Sequence, residues 1–374
     1  MMKRRTMLAS GLASGIAAAA VSRARAADGP YIVGTLFPLA GPNAEYGTIF
    51  TNGVQMALDH LAADKSLSRP IELRAEDSQG TPQGGATGMN KLVNVHAATW
   101  VLVGFTGVSK AAAPIGQRAK TVMVNGGGVG PDLSGLSPYY WNVIPLIPAE
   151  IATMMPWLAA NKLQRIGLVY VDDPLGNSVM KLMGPALEQS GGKLVGSYSI
   201  APSAQQFSAI AAKLRDDKPD AVYFASYGAQ QSQIIKQLRD GGVEAPLLTY
   251  SAGTIPSVSA LPESEGLTFT SQSTDWGSDD PVTRRFVTDW RAKHGGEPSA
   301  YNANYYNGTR LFGLLAREVE QGGGTVTGDT LRAAMLKTRA FPLVGGVGKF
   351  SEIGDIALPM QVNRIEKSRT VRIG

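Results

Sequence analysis

Short apolar runs rich in β-branched and aromatic residues alternate along this chain with longer stretches whose apolar positions recur every three or four residues. Tyr31 to Leu36 reads as a strand, and Tyr46 to Ala63 as a helix with Phe50, Val54, Ala57, Leu58 and Leu61 on one face. The same alternation gives strand Ile71 to Ala75, helix Gly85 to Val95, strand Trp100 to Val103, helix Ser109 to Lys120 and strand Thr121 to Val124. Strands separated by helices predict a mostly parallel sheet with helices on both faces, because parallel neighbours need crossover connections.

After Pro145 and Pro148 the rhythm begins again. Helix Ile151 to Ala160, strand Arg165 to Val171 and helix Leu175 to Gln189 are followed by Leu194 to Ile200, Phe207 to Arg215, Ala221 to Phe224, Gln230 to Arg239 and Leu247 to Tyr250. Val101 to Gly107 and Val222 to Gly228 look alike, each a buried strand emptying into a small-residue loop before a helix. From Asp280 the chain turns helical, through Phe286 to His294, Tyr301 to Gln321 and Thr330 to Lys337, with short β-like pieces at Gly346 to Phe350 and Pro359 to Glu366. So short a helical tail is too small for a third core. It is expected to pack back on the first unit while the last strands complete the second, so the chain crosses several times between two α/β lobes, an arrangement suited to a hinge.

The first 26 residues change the electrostatic picture. Lys3, Arg4 and Arg5 precede an apolar run from Leu12 to Val21 that closes on Ala24-Arg25-Ala26, the pattern of an export signal cleaved near Ala26. The paired arginines with Leu8 suggest the twin-arginine route. The whole chain carries 35 Lys and Arg against 30 Asp and Glu, and all five excess cations lie in this segment. The remainder is formally neutral, so no basic field argues for nucleic acid. No cysteine is present, which removes disulfides and thiolate chemistry and leaves the fold to its hydrophobic cores.

In open parallel sheets ligands bind beyond the carboxyl ends of the strands. The candidate loops are Leu39 to Tyr46, Asp77-Ser78, Phe105 to Ser109 and Asn125 to Val129 in the first half, and Asp172 to Asn177, Ser226-Tyr227 and Tyr250 to Gly253 in the second. Asn125-Gly-Gly-Gly-Val129 allows close approach to the backbone or is a plain turn; Pro131 breaks a dinucleotide fingerprint there. Ser109 either caps a helix or meets a ligand. Tyr46, Tyr227 and Tyr250 either line a site or seal the rim of a core. Asp77, Asp172 and Asp173 either orient a polar ligand or bind a cation, or, as carboxylates at loop starts usually are, serve as caps or stay solvated; His60, His96 and His294 are scattered, so no metal site is expected. No nucleophile elbow, Walker A or HExxH pattern occurs, and a binding protein without cofactor is expected rather than an enzyme.

The run Tyr31 to Gly47, with Asn52-Gly53-Val54 and Ala57-Leu58 on the following helix, resembles the opening of periplasmic leucine/isoleucine/valine-binding proteins. Val103-Gly104, Ala112-Ala113-Pro114, Pro298-Ser299-Ala300-Tyr301 and the late strand Gly345 to Phe350 support the resemblance. It implies a type I periplasmic binding protein fold: two doubly wound parallel-sheet lobes joined by a multi-strand hinge, 27–145 plus 275–338 forming one and 146–274 plus 339–374 the other. It also implies a periplasmic monomer that hands a small solute to an inner-membrane ABC permease with cytoplasmic ATPases. The family's carboxylate donors match Val108, Ser109, Gly127, Gly128 and Val129, while Ala252 stands where an acidic residue accepts the ligand's ammonium and Leu175 where a tyrosine often packs. A buried ammonium without counter-charge costs several kcal/mol. With Phe105 and the tyrosines as an aromatic wall, a small aliphatic or aromatic acid is therefore expected over a branched-chain amino acid. A ligand sensor of the same fold and an exported nicotinamide-dependent oxidoreductase are the alternatives.

Overall fold

The computed structural model describes residues 29–374; the export signal expected over residues 1–26 lies outside them. The first five strands, β1 (Tyr31–Phe37), β2 (Ile71–Asp77), β3 (Trp100–Val103), β4 (Val122–Asn125) and β5 (Tyr140–Asn142), form one parallel sheet in the order β2-β1-β3-β4-β5. Three helices connect them: α1 (Ala44–Asp64), α2 (Pro82–Asn94) and α3 (Thr106–Ala119). β3 and β4 are buried along their whole length, as strands covered on both faces must be.

The second sheet is built from β6 (Arg165–Val171), β7 (Lys193–Ile200), β8 (Ala221–Ala225), β9 (Leu247–Thr249) and β10 (Thr268–Gln272), all parallel. Helices α4 (Ile147–Ala160), α5 (Pro174–Gln189), α6 (Ser208–Asp217), α7 (Ala229–Asp240) and the short α8 (Pro256–Ser259) accompany it. The molecule is thus α/β with two doubly wound parallel-sheet lobes, as the alternating pattern predicts.

The helical tail α9 (Pro281–His294), α10 (Ala300–Gln321) and α11 (Gly328–Thr338) returns to the first lobe. α10 lies along α1, and the two approach so closely that a Cβ at Gly53 would meet the Asn302 carbonyl oxygen at 2.3 Å. The buried His60 of α1 ties the tail down, with Nδ1 2.7 Å from the Tyr306 hydroxyl and Nε2 2.9 Å from Asp289.

The expected division puts everything after 338 with the second lobe, and the structure divides it. β11 (Ala340–Leu343), β12 (Gly346–Phe350) and β13 (Ile356–Ala357) form a separate antiparallel sheet against the first lobe, where Asp355 bridges Asn142 and Phe350 packs edge-on against Trp141. Only β14 (Met360–Glu366) and β15 (Arg369–Arg372) join the second sheet, β14 pairing antiparallel with β10. The third crossing therefore lies at Leu358-Pro359 rather than at 339, because the apolar positions of 340–356 are consumed by the first lobe. The other two run between β5 and α4 and between β10 and α9.

Candidate functional site

Where the carboxyl ends of β1, β3 and β4 face those of β6, β8 and β9, the lobes enclose a cavity of about 310 Å3. Its wall is aromatic: Tyr46, Phe105 and Tyr301 from the first lobe, Tyr227 and Tyr250 from the second. Tyr46, Tyr250 and Tyr301 are each 3 % exposed or less, so the aromatic side of the cavity is buried, while exposed Thr81, Pro82, Asp172, Pro174 and Pro202 form its rim. Phe105 and Tyr227 meet edge-to-face across the cleft with ring centroids 5.2 Å apart. Elsewhere across it, the Glu45 carboxylate of α1 accepts from the N–H of Ser257 at 2.9 Å and from its hydroxyl, at the start of α8. The lobes stand closed.

The first-lobe floor is the N-terminus of α3. Sequence periodicity starts this helix at Ser109; it begins three residues earlier, at Thr106, and Phe105 in the N-cap position supplies no side-chain cap. First-turn amides have no carbonyl within the helix to bond, and they carry the positive end of its dipole. Thr106 and Gly107 of that turn line the cavity. Phe105 itself has φ 66° and ψ 134°, backbone normally left to glycine and costing on the order of 1–3 kcal/mol. That conformation sets its ring against Tyr46 and Tyr227 at the helix mouth.

The glycine run fills a different role from the one its flexibility suggests. The N–H groups of Gly127 and Gly128 both donate to the Asn125 side-chain oxygen, at 3.2 and 2.7 Å, so they are spent within the loop. A Cβ on Gly127 would lie 2.7 Å from the Phe50 ring, and one on Gly128 3.0 Å from the Phe105–Thr106 peptide. The glycines let the first-lobe core and the α3 start come close, and their backbone then forms part of the cavity surface.

From the second lobe come Asp172, Asp173, Pro174 and Leu175, at the start of α5, and Pro202. Asp173 caps α5 by accepting from Gly176 N–H at 2.8 Å and also accepts from the Tyr227 hydroxyl at 2.6 Å. Burial raises the Asp173 pKa against these hydrogen bonds, which lower it. Burial and the facing Asp173 carboxylate likewise lift Tyr227 far above an ordinary phenol, so its proton stays on. Tyr250 donates to the Ser226 carbonyl at 3.1 Å. The buried Tyr46 hydroxyl makes no well-formed hydrogen bond among the described residues. Burial holds its pKa well above the usual value, which the Gly228 backbone opposes only in part.

Of the residues singled out from sequence, Tyr46, Phe105, Gly127, Gly128, Val129, Leu175, Tyr227 and Tyr250 come together on this cavity. Val108, Ser109 and Ala252 are not among its lining residues. Because α3 starts early, Ser109 is fully buried inside the helix with its N–H bonded to Phe105 O, and Val108 turns to α2 at Gly85. Ala252 is fully buried behind Tyr250, its carbonyl accepting from Gln231 at 2.9 Å. Thr106, Gly107, Asp173 and Tyr301 take their place. Asp173 carries a visible signal, a cap residue directly before Pro174 at a strand end; Tyr301 carries none, since it arrives from a helix of the returning tail.

Just behind the wall lies a carboxyl group that no sequence pattern marks. Glu150, fully buried in the first turn of α4, accepts from the N–H and hydroxyl of Ser251, both at 2.7 Å, and from the Thr270 hydroxyl at 2.9 Å. Burial pushes its pKa up to about 7.

Residues 30–370 match the family described as periplasmic binding protein. The chain belongs to this family. Among relatives of this periplasmic binding protein, the Leu/Ile/Val-binding protein homolog 3 of Brucella melitensis is 23 % identical over 91 % of this chain and 93 % of its own. Two solved structures share the fold. A solute-binding protein from R. palustris in complex with benzoate superposes with a TM-score of 0.84, at 18 % identity over 92 % of this chain and 96 % of that one. A leucine-binding protein from Thermotoga maritima also gives 0.84, at 21 % identity over 92 % and 98 %.

Proposed function

We propose that this periplasmic binding protein is the exported solute-binding component of an ABC importer, and that it captures a small apolar or aromatic carboxylic acid between its lobes. The observation that carries this reading is the interlobe cavity walled by Tyr46, Phe105, Tyr227, Tyr250 and Tyr301, with an uncapped helix start in its floor and, among the described residues, no Lys or Arg in its lining. Ligand pockets usually measure about 300–1,000 Å3, so this one suits a small solute. A carboxylate meets the free amides and dipole of α3, as anions do at helix N-termini. An aromatic or aliphatic body then fills the space between the rings.

Contacts from both lobes exist together only in the closed form, so such a ligand favours closure. Closure presents a loaded protein to an inner-membrane permease whose ATPases supply the energy. The R. palustris protein, a solute-binding protein of an ABC transporter that holds benzoate, supports both importer and acid. A branched-chain amino acid is the second reading: the relatives are named for it, and Asp172 and Asp173 place carboxylates in the wall.

The test is a thermal-shift series on chain beginning at residue 27, refolded to strip bound solute, with benzoate, short aliphatic acids and isoleucine. Ligand at a hundred times its Kd adds about 2.7 kcal/mol and raises Tm by several degrees. Benzoate or an aliphatic acid is expected to do this. Stabilisation by isoleucine alone would replace the first reading with the second.

A further inference from the structure

Asp173 and Tyr227 together are an unusual component of an acid-binding cavity. The Tyr227 proton is committed to Asp173 at 2.6 Å, and the other Asp173 oxygen caps α5 through Gly176 N–H at 2.8 Å. A carboxylate offers about four lone-pair sites and a phenol oxygen two, so acceptor capacity remains on both side chains while neither has a donor to give. Both line the cavity. On the second-lobe wall the cavity is therefore an acceptor surface bearing a carboxylate, whereas the first lobe offers the free amides of the α3 start. A ligand carboxylate is repelled by the second-lobe wall and attracted by the first lobe. The polarity of the site is set by its own residues.

We infer that the ligand carries a hydrogen-bond donor remote from its carboxylate, and that the Asp173–Tyr227 pair reads this donor. The pair is the specificity determinant of the site. This rests on the acid-binding reading above and narrows it to hydroxylated acids. The rings of Phe105 and Tyr227, in contact across the cleft, put the donor site at the junction of the lobes. A ligand lacking the donor would close the protein over acceptors it cannot satisfy. A buried polar site built to bond a ligand hydroxyl rejects the analogue without it much more strongly than an apolar pocket rejects a missing methylene.

Calorimetric titration of the stripped protein with benzoate, 4-hydroxybenzoate and isoleucine tests this, alongside Asp173→Asn and Tyr227→Phe. Asparagine keeps the helix cap but turns an amide donor toward the ligand. Wild type is expected to bind 4-hydroxybenzoate at least tenfold more tightly than benzoate, and D173N to bring that ratio close to one. Y227F is expected to shrink the ratio less, since Asp173 remains. A structural role for Asp173 would lower both affinities together and leave their ratio intact, which overturns the proposal, as does equal binding of the two acids by wild type. Binding of isoleucine with neither aromatic acid overturns the acid reading itself and the proposal with it.

Discussion

Glu150 shows how one residue couples local chemistry to the stability of the whole chain. Its three donors belong to Ser251, next to the cavity, and Thr270, on the strand that leads to the second crossing. Tyr223 and Tyr301 face it, and both stay protonated because burial holds their pKa values high. Folding raises the Glu150 pKa from about 4.5 to about 7. A carboxyl group shifted upward favours the fold while protonated: its contribution is complete below about pH 4.5 and is lost as pH rises through 7. Glu150→Gln removes this titration. Across pH 4.5 to 7.5 the wild-type Tm, corrected by the mutant's own pH profile, is expected to fall by several degrees, reflecting a few kcal/mol. Parallel pH profiles for the two proteins would show that Glu150 does not titrate in this range.

At the scale of elements, the interlobe latch is a helix cap supplied from the opposite lobe. Glu45, in the first turn of α1, accepts from the start of α8 as a cap residue would. The contact requires closure, so its contribution falls on the closed state. Capping is worth about 0.5–2 kcal/mol. Glu45→Ala is therefore expected to speed ligand release several-fold while leaving the ligand-free Tm within about a degree, as stopped-flow dissociation and melting would show. An unchanged release rate would remove the latch from the closure mechanism.

Elements also show where sequence reading succeeds and why it stops. β3 and β6 are legible to the residue, because Trp100–Val103 and Arg165–Val171 are β-rich runs ended by small or polar residues. β10 is missed. Thr268–Gln272 has one large apolar residue, yet every position is buried, since Thr270 bonds Glu150, Ser271 accepts from Asn363 and Gln272 bonds Asn304. A strand buried by hydrogen bonds leaves no hydrophobic pattern. β5 is too short, at three residues, to show a period. In the site, the aromatic residues at strand ends could be read because strand ends can be read. The α3 start could not, because Phe105 adopts a glycine-like conformation that propensity disfavours and no cap residue announces the helix.

For the whole molecule, closure requires one lobe's backbone to pass close to the other's. Gly228, with φ 62° and ψ −153°, opens α7 directly against the first lobe. A Cβ there would lie 2.2 Å from the Asn43 side-chain oxygen and 2.9 Å from the Pro42 carbonyl. Gly228→Ala is expected to leave each lobe folded but to hold them apart. Small-angle scattering should then show no compaction on adding saturating ligand, with affinity reduced at least tenfold. Compaction equal to wild type would mean that the loops yield and that Gly228 does not gate closure.

The late return of β14 and β15 to the second sheet has a practical consequence. Among the described residues the chain enters through β1, an interior strand of the first sheet, and leaves through β15 at the edge of the second. The two ends of the described segment accordingly ride on different lobes. A donor and an acceptor fluorophore fused at the beginning and end of the folded chain would convert each capture event into a change of energy transfer, without touching the cavity, making the molecule a ready scaffold for a reagentless sensor of its own solute.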